Sequence, residues 1–233
     1  MTKRIYVPST GVDDWKRLTA SPDIHWKEGY SARSLAYSWE SATGFPTRVK
    51  ATLDSCCDLK ELELLLVIPE HTVSLAGIGK GSQNDAWVLA GNQNGLISIA
   101  VEGKVDESFD KTLGRWKDWD EPPTETRTNK EHRVRSICKV LDIEIPADEI
   151  RYQLLHRCAS AVLEALRFRT PKAMLLIHSF SPEKKWMEDF QNFVQLFGLT
   201  YNGYDNEVLS KTLSNGVTLY FAWVSGDLKY TKM

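Results

Sequence analysis

Cysteine is scarce in this chain and poorly placed for chemistry. Of 233 residues, four are Cys, at positions 56, 57, 138 and 158. No CxxC spacing joins them, which excludes the common zinc and dithiol motifs and predicts reduced, mostly buried thiols. Histidine is as sparse: His25, His71, His132, His156 and His178 never fall at metal-ligand spacing. Long apolar runs are also missing. Nothing approaches the ~20 residues that cross a bilayer, and the start MTKRIYVPSTGVDDW lacks the apolar centre of a secretory signal. The expectation is a cytoplasmic protein without membrane contact. Repeats and low-complexity tracts are absent, so the fold should use distinct elements around one core. Nor is either charge sign in excess: 29 Lys and Arg stand against 31 Asp and Glu, a formal net charge of −2. A nucleic-acid partner, if there is one, must be held by a local patch.

What is present is the composition of a globular protein, 42% hydrophobic and 26% charged. The charge is unevenly distributed. Residues 1–50 carry a net +3, residues 51–110 a net −7, residues 111–172 a net +3 and the remainder −1. An acidic centre between basic stretches suits a cation site with phosphate-binding surroundings, and a solvated acidic face would give the same sum.

Along the chain, Trp15, Trp26 and Trp39 read as packing anchors, with a helix across 34–42. Leu59, Leu62, Leu65 and Leu66, with charged residues between them, predict an amphipathic helix over 54–67. An initial strand is expected near Thr72 to Ala76. From Asp85 to Val105 the period becomes alternating, and the turn-rich GNQNG divides DAWVLA from LISIAVEGKV, an antiparallel hairpin. Residues 106–147 read as an insertion with an exposed loop, DEPPTET at 120–126, and a short basic helix over 130–141. A helix over 148–168, started by Asp148 or a neighbour, precedes the apolar strand 172–179. A helix near 182–197 and a strand VTLYFAWV follow. The expected architecture is a single α/β domain over 1–233.

The hairpin carries the chemistry. Glu102 and Lys104 are two apart on one strand and share a face. A two-residue Asn94-Gly95 turn sets Asp85 opposite Lys104, and a four-residue loop from Asn92 to Gly95 sets it opposite Glu102. Either way Asp85 joins the pair. Two carboxylates and a lysine make a hard-oxygen site for Mg²⁺ or Mn²⁺ with an amine beside it. On a solvated hairpin face the same alternation would mean only a surface salt bridge. His178-Ser179 lacks a Gly-x-Ser-x-Gly elbow and reads as a strand cap, and GIGKGSQ lacks the phosphate-loop pattern.

Asp85 followed by Glu102-Gly103-Lys104 at the end of an apolar strand resembles the D…ExK signature of the PD-(D/E)xK nuclease superfamily, with its restriction-endonuclease-like fold. Asn84, not proline, precedes Asp85. The resemblance implies a core of helix, antiparallel three-strand meander, helix and strand over 54–180, with 1–53 an N-terminal helical extension and 106–147 an insertion. It implies that Asp85 and Glu102 bind the metal, with the carbonyl of Gly103 and either Glu70 or Glu63 as further ligands, and that Lys104 activates water. Gln153, on the helix after the ExK strand, matches a position some members use, so the implied catalytic set is Asp85, Glu102, Lys104 and Gln153. Gln153, His156, Arg157, Ser160 and Glu164 follow helical spacing as one polar stripe. The block SQNDAWVLA, VEGKV, YQLLHRCASAVLEA, LLIHSFS is also similar to an uncharacterised family of small bacterial proteins, which implies no activity.

The expected function is metal-dependent hydrolysis of phosphodiester bonds, in DNA before RNA, with Arg133, Arg135, Arg151 and Arg157 contacting the nucleic-acid backbone and a homodimer compatible with the chain. The rivals are a non-catalytic nucleic-acid- or protein-binding module on the same fold and an RNA-directed nuclease.

Overall fold

The computed structural model describes residues 9–77, 79–117 and 125–233. In chain order the elements are α1 Val12–Leu18, α2 Pro22–His25, α3 Ser31–Glu40, α4 Thr47–Asp54, β1 Glu63–Pro69, β2 Thr72–Val73, β3 Ser82–Gln83, β4 Ala86–Asn92 and β5 Gly95–Lys104. There follow α5 Leu113–Lys117, α6 Glu125–Leu141, α7 Tyr152–Phe168, β6 Lys172–Ser179, α8 Met187–Gln195, β7 Val208–Thr212 and β8 Thr218–Ser225.

Six strands form one mixed sheet in the order β1-β4-β5-β6-β8-β7. β1, β4 and β5 make an antiparallel meander. The chain then crosses through α7 to β6, which lies parallel to β5, and through α8 to β8, parallel to β6. Parallel strands need such helical crossovers, and their position between layers explains why all eight residues of β6 are buried.

Each face of the sheet is covered. On one side Leu154, Leu155, Cys158 and Ala161 of α7 meet Ala173, Leu175 and Ile177 of β6, joined by Phe190 and Phe193 of α8. Val134, Ile137, Cys138 and Leu141 of α6 belong to this core, so the segment read as an insertion is part of its wall. On the other side Trp15, Leu35, Trp39, Val49 and Leu53 of α1, α3 and α4 pack on Val88, Ile99, Val101 and Leu176. The segment read as an extension supplies this second layer, and two of its tryptophans are the expected anchors. Of the cysteines, Cys138 and Cys158 are buried, Cys56 is half-buried and Cys57 exposed, all four free thiols.

The helix expected over 54–67 is a 3₁₀ turn, Cys57–Leu59, followed by β1. The register of β1 against β4 shifts between Leu64 and Leu66, a bulge that adds one residue to the strand. Leu62, Leu64 and Val67 therefore face inward while Leu65 and Leu66 are exposed on this edge strand. A bulged strand places apolar residues two and three apart, which imitates a helical period. The strand expected at 72–76 shrinks to β2, which pairs with β3 in a separate two-stranded sheet. α7 begins at Tyr152, with no side-chain cap, while Asp148 accepts a hydrogen bond from Lys117 Nζ at 2.9 Å. The loop expected at 120–126 falls largely outside the described residues.

Candidate functional site

The β4–β5 hairpin turns on Gln93-Asn94, with Asn92 paired to Gly95 and Ala86 to Val101. Gly95 takes φ 104°, a conformation a side chain disfavours. This register is the second of the two expected and sets Asp85 opposite Glu102. Just past the ladder, Asp85 turns its carboxylate onto β5, where Oδ2 accepts the Gly103 N–H at 2.8 Å. A Cβ on residue 103 would come within 3.4 Å of that oxygen and of Leu35 Cδ2, so glycine permits the approach. Gly103, expected to lend a carbonyl to a metal, is here the donor that orients Asp85.

Glu102 and Lys104 are 1% and 4% exposed, which excludes the surface salt bridge. α7, through Gln153 and Arg157, and Phe109 cover their face of the hairpin end, while Leu35 of α3 lies on the opposite face against Gly103. Glu102 Oε1 accepts from Lys104 Nζ at 2.7 Å and Oε2 from Arg157 Nε at 2.6 Å. Lys104 Nζ also donates to Gln153 Oε1 at 3.2 Å and lies 4.8 Å from the centre of the Phe109 ring. Arg157 Nη1 reaches Ser82 Oγ at 3.2 Å, and its Nη2 stands 3.9 Å from Asp85 Oδ1. Glu70 enters from the turn after β1, where its N–H bonds the Asp85 carbonyl at 3.0 Å. Its carboxylate accepts from Gln83 Nε2 at 2.9 Å and Thr19 Oγ1 at 3.3 Å.

Glu70, Asp85, Glu102, Lys104 and Gln153 thus line one cleft of about 530 Å³, with Arg157 at its floor. Glu63, the alternative to Glu70, lies at the other end of β1 against Glu61 and Asn92.

A family model described as a domain of unknown function, DUF6946, matches residues 8–228. The chain belongs to the DUF6946 family. No curated protein and no solved structure matches it. The cleft of this DUF6946 chain therefore has to be read from its own chemistry.

That chemistry is short of positive charge. Burial and the neighbouring Glu102 carboxylate push Asp85 well above the usual carboxylate range. Burial raises Glu70 to about 7. Glu102 is as deeply buried, yet Lys104 and Arg157 together hold it below its ordinary value. Three carboxylates share two cations, and the two without a close cationic contact take up the imbalance as proton affinity. This donor set, hard oxygens in cationic deficit, fits Mg²⁺ or Mn²⁺ in kind. As the side chains stand, however, no three His, Cys, Asp or Glu among the described residues converge to hold a metal ion, and both oxygens of Glu102 are engaged.

The four arginines expected on a nucleic-acid surface do not share one. Arg157 belongs to the carboxylates. Arg133 is buried and donates to the Lys80 carbonyl at 2.7 Å beneath the 79–80 turn. Arg151 donates to Asp189 Oδ2 at 2.9 Å and to the Asp110 carbonyl at 2.7 Å, with its guanidinium 5.4 Å from the Trp186 ring centre. Arg135 alone is exposed, on α6. The α7 stripe likewise divides. Gln153 and Arg157 face the cleft, while His156 meets Ser82 Oγ at 2.8 Å, Ser160 donates to Asn84 Oδ1 at 2.7 Å, and Glu164 takes Arg167 and His71. The β2–β3 hairpin covers that second part. His178 and Ser179 lie outside the cleft, and Ser179 Oγ accepts from the Ser181 N–H at 3.3 Å, as a strand cap does.

Sequence reasoning did not anticipate Arg157 as a partner of Glu102, nor the Thr19 and Gln83 contacts to Glu70. Arg157 had a signal: it lies one helical turn after Gln153. Thr19 had none, because it reaches Glu70 only through tertiary packing.

Proposed function

We propose that this protein is a phosphodiester hydrolase acting on nucleic acid, DNA in the first instance, with Mg²⁺ or Mn²⁺ as cofactor. The observation that carries the reading is the convergence of Glu70, Asp85, Glu102, Lys104 and Gln153, drawn from four separate segments, in one solvent-reaching cleft. Buried acids gathered in a cleft cost stability, and such arrangements concentrate where they serve chemistry. The order of α4, the β1-β4-β5 meander, α7 and β6 supports it too, being the order that the PD-(D/E)xK resemblance implies.

Asp85 and Glu70, with Glu102, are the side chains that would hold the cation; once bound, it would neutralise developing charge and lower the pKa of a water. Lys104 Nζ is held between Glu102 and Gln153, where it can orient a nucleophilic water or stabilise a phosphoryl oxygen. Gln153 fixes the direction of that ammonium. The substrate backbone is assigned to a neighbouring hollow of about 490 Å³ that shares Ser108 and Asp110 with the cleft and adds Lys111, Arg115 and Arg151. Lys111 and Arg115 make no ion pair among the described residues, which leaves them for phosphates.

The test is Mn²⁺-dependent cleavage of plasmid, single-stranded DNA and RNA by wild type and by Asp85→Asn. The amide keeps an acceptor for Gly103 and removes one negative charge, so the expected result is lost cleavage with metal-free thermal stability unchanged or raised. A wild type inert on every substrate, yet binding them, would instead favour the non-catalytic module, the reading that the full engagement of Glu102 fits.

A further inference from the structure

Arg157 stands where a cation would be expected. It is buried, its Nε holds Glu102 Oε2 at 2.6 Å, and its Nη2 points toward Asp85 Oδ1 at 3.9 Å, so the guanidinium bridges the two carboxylates assigned to the metal. The opposite oxygen of Glu102 is taken by Lys104. Neither carboxylate is thereby fully compensated, since Glu70 adds a third negative charge to the same cleft. A divalent ion entering with Arg157 in place would turn that deficit into an excess and would find Glu102 without a free oxygen.

We infer that Arg157 is the resting counter-ion of the cleft: it holds Glu102 in the metal-free protein, gives it up when a divalent cation enters, and so sets the metal affinity. This rests on the metal-dependent reading above. Arg157 is then a positioning residue that acts through Glu102. The geometry favours an exchangeable contact over a permanent one. The guanidinium spans Glu102, Ser82 and the edge of Asp85, and only the first of these is a short charged contact. Released from Glu102, it keeps the Ser82 hydroxyl as an anchor and presents its charge toward the cleft, where a phosphate oxygen of the substrate would meet it. Replacing the guanidinium by an uncharged side chain removes both the competitor for Glu102 and the repulsion of the incoming ion.

The experiment is a Mn²⁺ titration followed by the electron paramagnetic resonance signal of free Mn²⁺, with melting temperature measured in parallel, on wild type, Arg157→Gln and Arg157→Lys. The expected outcome is binding by wild type, binding about tenfold tighter or more by Arg157→Gln with a larger Mn²⁺-induced rise in melting temperature, and wild-type-like affinity in Arg157→Lys, which keeps the charge. A purely structural arginine would not give tighter binding when removed. Should Arg157→Gln be unfolded without metal, its refolding by Mn²⁺ at concentrations that saturate wild type supports the inference, and failure to refold overturns it. Equal or weaker binding by Arg157→Gln, or equal tightening in Arg157→Lys, overturns it and leaves the metal reading standing. Absence of Mn²⁺ binding in wild type and both variants overturns the two together.

Discussion

Two buried carboxylates lie along helix α7, Glu164 on the helix itself and Glu102 reaching it from β5, and they differ in how their charge is compensated. Glu164 sits under the β2–β3 hairpin with Arg167 at 3.0 Å and His71 at 3.4 Å, a local pair closed by a second, non-local contact and not among the residues that line the carboxylate cleft. Glu102, on β5, meets Arg157 two turns before Glu164 on that helix and Lys104 on its own strand, but shares these two cations with Asp85 and Glu70 at the floor of a cleft. Burial costs both groups desolvation. Only the second cluster is left with uncompensated charge and an opening through which a ligand could supply the balance. Burial of a charged group by itself says little about function; a deficit facing solvent says more.

The sharpest way to break this contrast is Lys104→Met. It removes one of two cations from the deficient cluster and should lower metal-dependent cleavage by about 10²- to 10⁴-fold while costing roughly 3–5 kcal/mol of stability. Both losses follow from one contact, so the activity must be measured on the folded fraction identified by circular dichroism. Preserved cleavage would return Lys104 to a structural role. Glu164→Gln sharpens the comparison from the other side. It should cost about 1–3 kcal/mol in chemical denaturation, through the partners it leaves, and should not change kcat. A cleavage defect at matched folding would contradict the assignment of that cluster to structure.

A third buried titratable group, His178, has neither a cleft nor a charged partner, and burial alone depresses it to about 3. Its imidazole stays neutral in the folded protein, while in the unfolded chain it takes up a proton below its ordinary value of about 6.5. The sign follows: protons bind the unfolded state preferentially between these values, so stability should fall as pH drops from about 6.5 toward 3. His178→Asn should flatten that limb by up to about 1.4 kcal/mol per pH unit, read from urea midpoints. An unchanged slope would show that the imidazole is not buried in solution.

The smallest expected effect is at the surface. Lys111→Glu with Arg115→Glu should weaken oligonucleotide binding and reduce the slope of log affinity against log salt by about 2, with stability within about 0.5 kcal/mol of wild type. An unaltered salt slope would remove the hollow from the substrate path.

The sequence by itself determined the local parts of this answer. Alternation over 85–105 predicted the hairpin and the shared face of Glu102 and Lys104, because side-chain direction in a strand is fixed by backbone pleating. The apolar run at 172–179 and the helical period before it predicted β6 and α7, since each pattern is written in neighbours three or four residues apart at most. The tertiary structure decided the rest. It converted Leu59 to Leu66 from a helix into a turn and a bulged edge strand, because the choice depended on pairing with β4. It selected Glu70 over Glu63, since the direction of β1 brings one end of that strand to Asp85 and the other to the Asn92 turn. It buried the Glu102–Lys104 pair by laying α7 over that face, and it brought Arg157 to Glu102 across 55 positions. Those outcomes are set by contacts between distant segments, whose free energy no local period in the chain encodes.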